Sequence, residues 1–283
     1  MTEASDVTRR LTRFYEEISS LDSIVRALSR AGVDTGKITA GDLYTRGLDC
    51  QNLGGFENLE LLASVAAEYA PIEPHHRIVD VACGLGGPGR YLADRFGCSV
   101  AGIDLLPMRI DTARILTQMT GLADRVTYQV ADATDLPFSD RWSDQVWMLD
   151  ASIHMRDKAG LFREIARVLQ PGGLLVMHDQ TAPIPRVMAP VTRRAPYIAP
   201  PLPQLIRYVE DAGLRLLTWR DTTDRVLEHF EQRRAAREER PAPTSTVESR
   251  RRRERQRVAG NAYIEALRDH GGRTGILVAK RRS

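Results

Sequence analysis

Residues 77–105 read RIVDVACGLGGPGRYLADRFGCSVAGIDL. An apolar run ends in an acid, a cluster of glycines follows, a helix-favouring segment comes next, and a second apolar run ends in Asp104. This order predicts a strand, a glycine-rich turn, a helix and a second strand. A turn of this kind at the carboxyl end of a parallel strand is typical of a nucleotide-binding site.

The same alternation continues along the chain. Further helices are predicted in PMRIDTARILTQMTG and in DKAGLFREIARVLQ with its stop PGG, and further strands in RVTYQVAD, DQVWMLDAS and LLVMHDQ. Strands that alternate with helices of this length predict an α/β protein, with a parallel sheet covered by helices on both faces. After Gln180 the pattern breaks into a proline-rich loop at 181–203, a helix QLIRYVEDAG, a strand LRLLTWRD and a closing strand TGILVAKR.

Helical segments flank this core. Apolar residues from Leu11 to Leu28 recur at steps of three and four and predict one amphipathic helix. A second helix begins after Gly55 and is stopped by PIEP. Residues 222–272 are predicted to form two or more surface helices, interrupted by the linker PAPTST.

Composition excludes several classes of protein. The chain has 283 residues, 42% hydrophobic and 27% charged, as is ordinary for a globular protein, and its net charge of +3 is too small to indicate a nucleic-acid partner. No apolar run approaches the roughly 18 residues of a membrane helix. The charged N-terminus lacks a secretory core, so we expect a cytoplasmic protein. The three cysteines show no metal-ligand spacing, which predicts reduced thiols and no metal site.

The motifs indicate which nucleotide the turn holds. Gly84 and Gly86 let the backbone approach a ligand, and the phosphate-cradling GxxxxGK[ST] pattern is absent. Asp104 can accept hydrogen bonds from both ribose hydroxyls, and Asp132 from an adenine amino group. Asp80 would repel a pyrophosphate but would favour a cationic amino-acid moiety. A ribose and an adenine without a pyrophosphate describe S-adenosylmethionine.

Several segments of the sequence resemble the motifs of a known enzyme family. VDVACGLGGPGRYLA, VAGIDL, ADATDLPF, IHMRDKAGLFREIARVLQPGG and ILVAKR resemble successive motifs of class I S-adenosylmethionine-dependent methyltransferases. DCQNLGGFENLELLA is similar to the lead-in of a small-molecule subgroup that includes sarcosine/dimethylglycine, tocopherol and sterol methyltransferases. The resemblance covers roughly residues 49–180 and the last strand.

The resemblance implies a Rossmann-like, seven-stranded, mostly parallel sheet whose last strand is antiparallel. It implies that Gly84 and Gly86 approach the methionine portion, that Asp104 binds the ribose and that Leu149 borders the sulfonium. The remaining cofactor-binding residues that it implies are Asp80, Ala82, Leu105, Arg109, Asp132 and Ala133. Ala82 stands where the motif usually has a glycine, and Asn52 where the lead-in often has a histidine.

The methyl-accepting side has two candidate catalytic residues. His154 follows the fourth strand, and a histidine with a pKa near 6.5 suits a general base; the alternative is a helix cap or a packing role. Asp150 is expected to orient a substrate amine or to contact the cofactor. His178 and Asp179 are weaker candidates for substrate contact, and the other four histidines are predicted to lie on the surface.

Three functions remain open. The first is methyl transfer from S-adenosylmethionine to a nitrogen, oxygen or carbon atom of a small molecule, with S-adenosylhomocysteine as the product. The second is methylation of RNA or a nucleotide through the arginine run at 250–257, which otherwise is a solvated helix face or selects an anionic substrate. The third is an enzyme that retains the cofactor without methylating.

We also expect three structural units. Residues 1–75 form a helical cap, in which Phe14 and Tyr15 pack on the core and the first helix serves as a lid. Residues 76–223 and 273–283 form the cofactor-binding core. Residues 224–272 form a helical insert over the acceptor pocket. A homodimer is compatible with the sequence.

Overall fold

A computed structural model describes residues 3–181, 186–239 and 247–283. Its centre is one seven-stranded sheet in the order β3-β2-β1-β4-β5-β7-β6. The strands are β1 (Arg77–Val81), β2 (Ser99–Asp104), β3 (Val126–Val130), β4 (Ser143–Leu149), β5 (Leu169–Thr181), β6 (Leu214–Asp221) and β7 (Arg273–Arg281). The first five run parallel, and β7 lies antiparallel between β5 and β6. The predicted Rossmann-like sheet with an antiparallel last strand is confirmed.

Helices cover both faces of the sheet. They are α4 (Gly55–Ala67), α5 (Gly87–Phe96), α6 (Pro107–Met119), α7 (Lys158–Val168) and α9 (Leu202–Asp211). On one face Leu62, Leu92 and Ile110 form a fully buried cluster with β1 and β4, and on the other face Phe162 and Leu205 do so. Because both faces are covered, the central strands are apolar on both sides, which explains their continuous apolar runs.

The predicted N-terminal helix is two helices. They are α1 (Glu3–Glu16) and α2 (Leu21–Arg30), followed by the short α3 (Ala40–Tyr44). The single-helix prediction was wrong because Ser20 caps α2: its hydroxyl accepts a hydrogen bond from the Ser23 N–H, and the Ser23 side chain accepts one from the Ser20 N–H. The break lets α1 leave the line of α2 and cross the carboxyl edge of the sheet.

The strand β5 begins earlier than predicted. PGG was expected to end a helix and precede the strand, but Leu169 already pairs with Ser143, and the register then shifts at a bulge before Leu174 pairs with Gln145. Gly172 has a φ of +80°, which only glycine adopts without strain. The glycines therefore make a bulge within the strand.

The remaining helices lie above the carboxyl edge of the sheet. The proline-rich segment contains a 3-10 turn at Arg186–Met188 and the short α8 (Ala189–Thr192). The predicted insert is a pair of helices, α10 (Thr223–Glu239) and α11 (Val247–Asp269), joined by stacking of Phe230 on Tyr263 at 5.3 Å. The predicted linker PAPTST lies outside the described residues. Within the described ranges, no helix is long and apolar enough to cross a membrane.

Candidate functional site

A cavity of about 600 Å³ lies at the carboxyl ends of β1, β2 and β4 and is called the first cavity. It is the position at which open parallel sheets bind ligands. The sequence-predicted cofactor residues that line it are Asp80, Ala82, Gly84, Asp104, Leu105, Arg109, Asp132, Ala133 and Leu149. Val7, Thr8, Leu11 and Tyr15 of α1 close it from above.

Asp104 organises the glycine-rich turn. One carboxylate oxygen accepts a hydrogen bond from the Gly84 N–H at 3.0 Å, and the other accepts one from the Leu106 N–H at 2.9 Å. Burial raises the pKa of Asp104, and Arg109 and the backbone donors oppose that rise. Each carboxylate oxygen has a second lone pair, so the side chain can still accept from a ligand hydroxyl.

Gly86 is the one predicted cofactor residue that does not line the first cavity. It is the N-cap of α5, with a φ of +77°. Its carbonyl accepts a hydrogen bond from the Tyr128 hydroxyl at 3.3 Å, and a Cβ at this position would collide with that hydroxyl. Gly86 therefore serves close packing of the turn on β3.

Four buried polar atoms on residues lining the first cavity have no hydrogen-bond partner among the described residues: Asp49 Oδ1, Asn52 Oδ1, Asp80 Oδ2 and Arg109 Nη1. Burial raises the pKa of Asp80 to about 8, so its carboxyl is protonated at neutral pH. The Arg109 guanidinium donates to Gln51 Oε1 at 2.5 Å and stacks 4.6 Å above the Tyr15 ring. An acid and a guanidinium with unused hydrogen-bonding capacity suit an amino-acid moiety.

Asp132 is exposed, and one of its carboxylate oxygens accepts from the N–H and the hydroxyl of Thr134 at 2.9 and 2.8 Å. The other oxygen is left for a ligand. Leu105, 36% exposed, borders the same part of the first cavity, as does Ala133. The apolar side chain of Leu105, the carboxylate of Asp132 and the backbone of Ala133 together suit a heteroaromatic base with an amino group.

A second cavity of about 500 Å³ lies behind the first, beneath α10 and α11. The two cavities share five lining residues: Tyr15, Gln51, Asn52, Asp150 and His154. Both predicted catalytic residues therefore lie where the cavities meet.

Asp150 is fixed in a left-handed conformation, with a φ of +51°. Its carboxylate accepts from the Leu53 N–H at 2.7 Å and pairs with His178 Nδ1 at 2.8 Å. His178 Nε2 lies 2.8 Å from the Thr222 hydroxyl. His178 is fully buried and lines neither cavity, so its predicted substrate contact is replaced by a positioning role behind Asp150.

Asp179 is also buried behind this shared wall. It accepts hydrogen bonds from the backbone N–H groups of Ser152 and Gln180, and burial raises its pKa to about 6. It does not line either cavity. The expected substrate contact is therefore absent, and Asp179 holds the turn that carries His154.

His154 has both ring nitrogens engaged. Nδ1 lies 2.6 Å from the Pro196 carbonyl oxygen, and Nε2 lies 3.0 Å from the Tyr15 hydroxyl. Because a carbonyl only accepts, Nδ1 carries the proton and Nε2 accepts from Tyr15 in the neutral ring. Burial lowers the pKa of His154 and raises that of Tyr15 to about 12, so both side chains are neutral at pH 7.

The structure adds residues that sequence reasoning missed. Tyr15 lies outside the recognisable motifs, and Gln51 lies within the lead-in DCQNLGGFENLELLA but was not singled out; the fold brings both to the site. His229, predicted to lie on the surface, lines the second cavity, and burial lowers its pKa. Among the described residues, no group of His, Cys, Asp or Glu side chains is arranged to hold a metal ion.

Comparisons with known proteins agree on the class of domain. A protein-family profile described as a methyltransferase domain matches residues 79–177. Tocopherol O-methyltransferase of Arabidopsis thaliana is 44% identical over 101 residues, 36% of this chain and 29% of the relative. O-methyltransferase cnsE of Penicillium expansum is 33% identical over 168 residues, 58% of this chain and 59% of the relative. The chain thus matches less than two thirds of these relatives' lengths.

Solved structures share the fold. A putative sarcosine dimethylglycine methyltransferase from Galdieria sulphuraria superposes with a TM-score of 0.72 at 23% identity, over 80% of this chain and 86% of the other. The [4+2]-cyclase SpnF superposes with a TM-score of 0.66 at 22% identity, over 87% of this chain and 97% of the other. At this identity the likeness concerns the fold alone.

Proposed function

We propose that this chain transfers a methyl group from S-adenosylmethionine to a nucleophilic nitrogen, oxygen or carbon atom of a small molecule. The match of residues 79–177 to a methyltransferase-domain profile supports this proposal. The transfer is an in-line displacement that leaves S-adenosylhomocysteine. The protein's task is to align the acceptor with the methyl group and to exclude water. A biosynthetic role and a cytoplasmic location accompany this proposal.

The observation that carries the proposal is the shared wall of the two cavities. The first cavity takes the cofactor and the second takes the acceptor, and they meet at Tyr15, Asn52, Asp150 and His154. A bimolecular displacement needs two sites that join at the reacting atoms. The predicted division into a cap at 1–75, a core, and an insert at 224–272 over the acceptor pocket fits this arrangement and remains part of the proposal.

The residues of the first cavity fit the cofactor. Asp80 would receive the ammonium group, and Arg109, through its unused Nη1, the carboxylate. Asp104 would accept from the ribose hydroxyls, and Leu105, Asp132 and Ala133 would surround the adenine. When bound, S-adenosylmethionine supplies a methyl group already activated by its sulfonium.

Tyr15 and His154 provide a route for the acceptor's proton. As the acceptor atom bonds to the methyl carbon, the Tyr15 oxygen takes its proton while the Tyr15 hydroxyl proton passes to His154 Nε2, 3.0 Å away. Tyr15 ends neutral, His154 ends as a cation, and the Pro196 carbonyl still accepts from Nδ1. The pair thus acts as one base, and an acceptor without a proton to lose would not need it.

The test is calorimetric titration of the full chain with S-adenosylhomocysteine. We expect micromolar binding by the wild type and a loss of roughly 1.5–3 kcal/mol in Asp104→Ala. Asp144→Ala is the matched control, because Asp144 also accepts from a backbone N–H, that of Arg77 at 2.8 Å, but at the opposite edge of the sheet. Absence of binding by the wild type would overturn the proposal.

A cofactor-retaining enzyme that does not methylate is the second candidate, with which the fold shared with the cyclase is compatible. Turnover separates the two. Methyl transfer produces one S-adenosylhomocysteine for each acceptor whose mass rises by one methyl group. Product formation without S-adenosylhomocysteine would select the second candidate.

A further inference from the structure

The second cavity carries an excess of positive charge. Among the described residues, two carboxylates line it, those of Glu17 and Asp150, against six arginines: Arg194, Arg233, Arg234, Arg253, Arg255 and Arg257. The arginines come from three parts of the chain, the segment after α8, helix α10 and helix α11. Part of the arginine run predicted to be a solvated helix face thus faces a cavity.

Carboxylates offset part of this charge, and one of them, Glu254, pairs with Arg257 at 2.6 Å from outside the cavity lining. Glu17 is shared, since it forms ion pairs with both Arg194 and Arg255. The Nε of Arg255 is buried and makes this ion pair with Glu17 at 3.0 Å, without an aligned hydrogen bond. The carboxylate of Asp150 is already engaged by the Leu53 N–H and His178. Positive charge in a partly desolvated cavity favours an anion more strongly than the same charge in water.

Apolar and aromatic side chains line another part of the second cavity, beside polar ones such as Gln51, Asn52 and Asn261. Phe14, Ile18 and Val191 line it from one side, and the stacked rings of Phe230 and Tyr263 from the other. Its volume of about 500 Å³ is that of a small-molecule site. A polynucleotide would not fit within this volume, which favours a small acceptor over RNA as its occupant.

We propose that the second cavity binds a phosphorylated acceptor, with the phosphate on the arginines of α10 and α11 and an apolar or aromatic body against Phe230 and Tyr263. This inference rests on the proposed methyl transfer and specifies its substrate class. Arginine pairs with phosphate oxygens through two parallel N–H donors. A dianionic phosphate ester offsets several arginines, whereas a carboxylate carries one charge.

The experiment is calorimetric titration of the full chain, saturated with S-adenosylhomocysteine, using phenyl phosphate as the probe. Benzoate and benzyl alcohol are titrated in parallel, as a carboxylate and a neutral compound of similar size. The variants are Arg233→Gln and Arg255→Gln. The control is Arg225→Gln, because Arg225 is an exposed residue of the same helix as Arg233 that lines neither cavity.

We expect phenyl phosphate to bind more tightly than benzoate or benzyl alcohol, and its dissociation constant to rise about tenfold in Arg233→Gln and Arg255→Gln but not in Arg225→Gln. Equal weakening by Arg225→Gln would mean a general charge effect and would overturn the proposal, as would equal or tighter binding of benzoate. Each variant must still bind S-adenosylhomocysteine. If the wild type does not, the methyl-transfer proposal fails separately from this one.

Discussion

Ala82 has a φ of +56°, a left-handed conformation in the turn that follows β1. A side chain in this region costs roughly 1–2 kcal/mol for residues other than glycine. The Asp104 carboxylate nevertheless holds the turn through the Gly84 N–H. The turn therefore keeps Ala82 in a strained conformation, because this hydrogen bond fixes the backbone two residues further on.

Replacing Ala82 by glycine should stabilise the protein. The strain removed exceeds the extra backbone entropy of glycine, about 0.5–1 kcal/mol, so we expect the free energy of unfolding to rise by about 0.5–1 kcal/mol. Urea denaturation measures it. Ala93→Gly, within helix α5, should lower stability by at least about 1 kcal/mol. A loss of stability in Ala82→Gly would show that the methyl group contributes packing that outweighs the strain.

The raised pKa of Asp80 predicts that binding of S-adenosylhomocysteine is linked to the release of a proton. Its pKa of about 8 means that the empty site holds a proton at pH 7. An ammonium group beside it would favour the ionised form, so binding of S-adenosylhomocysteine should release up to one proton at pH 7, and affinity should rise with pH up to about 8. Calorimetry in two buffers of different ionisation enthalpy counts this proton. Asp80→Asn should release none, and an unchanged count would remove Asp80 from the binding site.

The proposed proton route through Tyr15 and His154 predicts that the rate of methyl transfer depends on pH. With an acceptor that the wild type methylates, His154→Ala should lower turnover roughly 100-fold, and Tyr15→Phe should lower it while keeping the ring under Arg109. Because burial lowers the pKa of His154, the wild-type rate should fall only below pH 6.5 as the ring gains a proton. A loss of less than threefold in His154→Ala would end the idea that it is the base.

Between elements, one buried ion pair connects the site to the core. Arg90 of α5 donates to Asp49 at 2.7 Å, and both side chains are buried. The guanidinium also donates to the Leu85 carbonyl and the Thr117 hydroxyl at 2.6 and 2.9 Å. Asp49 thereby anchors the segment whose Leu53 N–H holds Asp150.

Breaking this pair should be costly. Arg90→Met leaves the Asp49 carboxylate buried without its partner, so we expect a loss of about 3–5 kcal/mol in the free energy of unfolding. Arg95→Met, an exposed residue on the same helix, should change it by less than about 0.5 kcal/mol. Denaturant titration compares the two. Equal small effects would mean that water replaces the missing guanidinium.

How far the sequence predicts an element depends on the range of the interactions that form it. The strands, the glycine turn and the positions of Asp80 and Asp104 follow from neighbours within a few residues. The role of His178 does not, because its partners Asp150 and Thr222 are 28 and 44 residues away. The second cavity is built from helices that share no motif, so its charge appears only when the chain is folded.

At the scale of the whole molecule, helix α1 contributes to the walls of both cavities. Its residues Leu11 and Tyr15 line the first, and Phe14 and Tyr15 line the second. The predicted lid therefore lines both cavities. Its packing core is separate from that of α2, which lies in a cluster with Leu43, Leu85 and Leu116.

This arrangement predicts that ligand release requires α1 to move. Arg10 anchors α1 by donating to the Thr192 and Arg193 carbonyls, each at 3.3 Å, and lines neither cavity. Arg10→Gln should speed dissociation of S-adenosylhomocysteine several-fold, and removal of residues 1–18 should speed it by roughly tenfold or more, with binding weakened accordingly. Stopped-flow displacement measures the rate.

Arg13→Gln is the matched control for this prediction, because Arg13 is an exposed residue of the same helix that lines neither cavity. It should leave the dissociation rate unchanged. Thermal unfolding of the shortened chain must remain cooperative, since α2 and the sheet keep their own buried clusters. Wild-type dissociation from a folded chain without residues 1–18 would mean that the cofactor leaves by another path. In that case α1 would shape the acceptor cavity but would not control access to the cofactor.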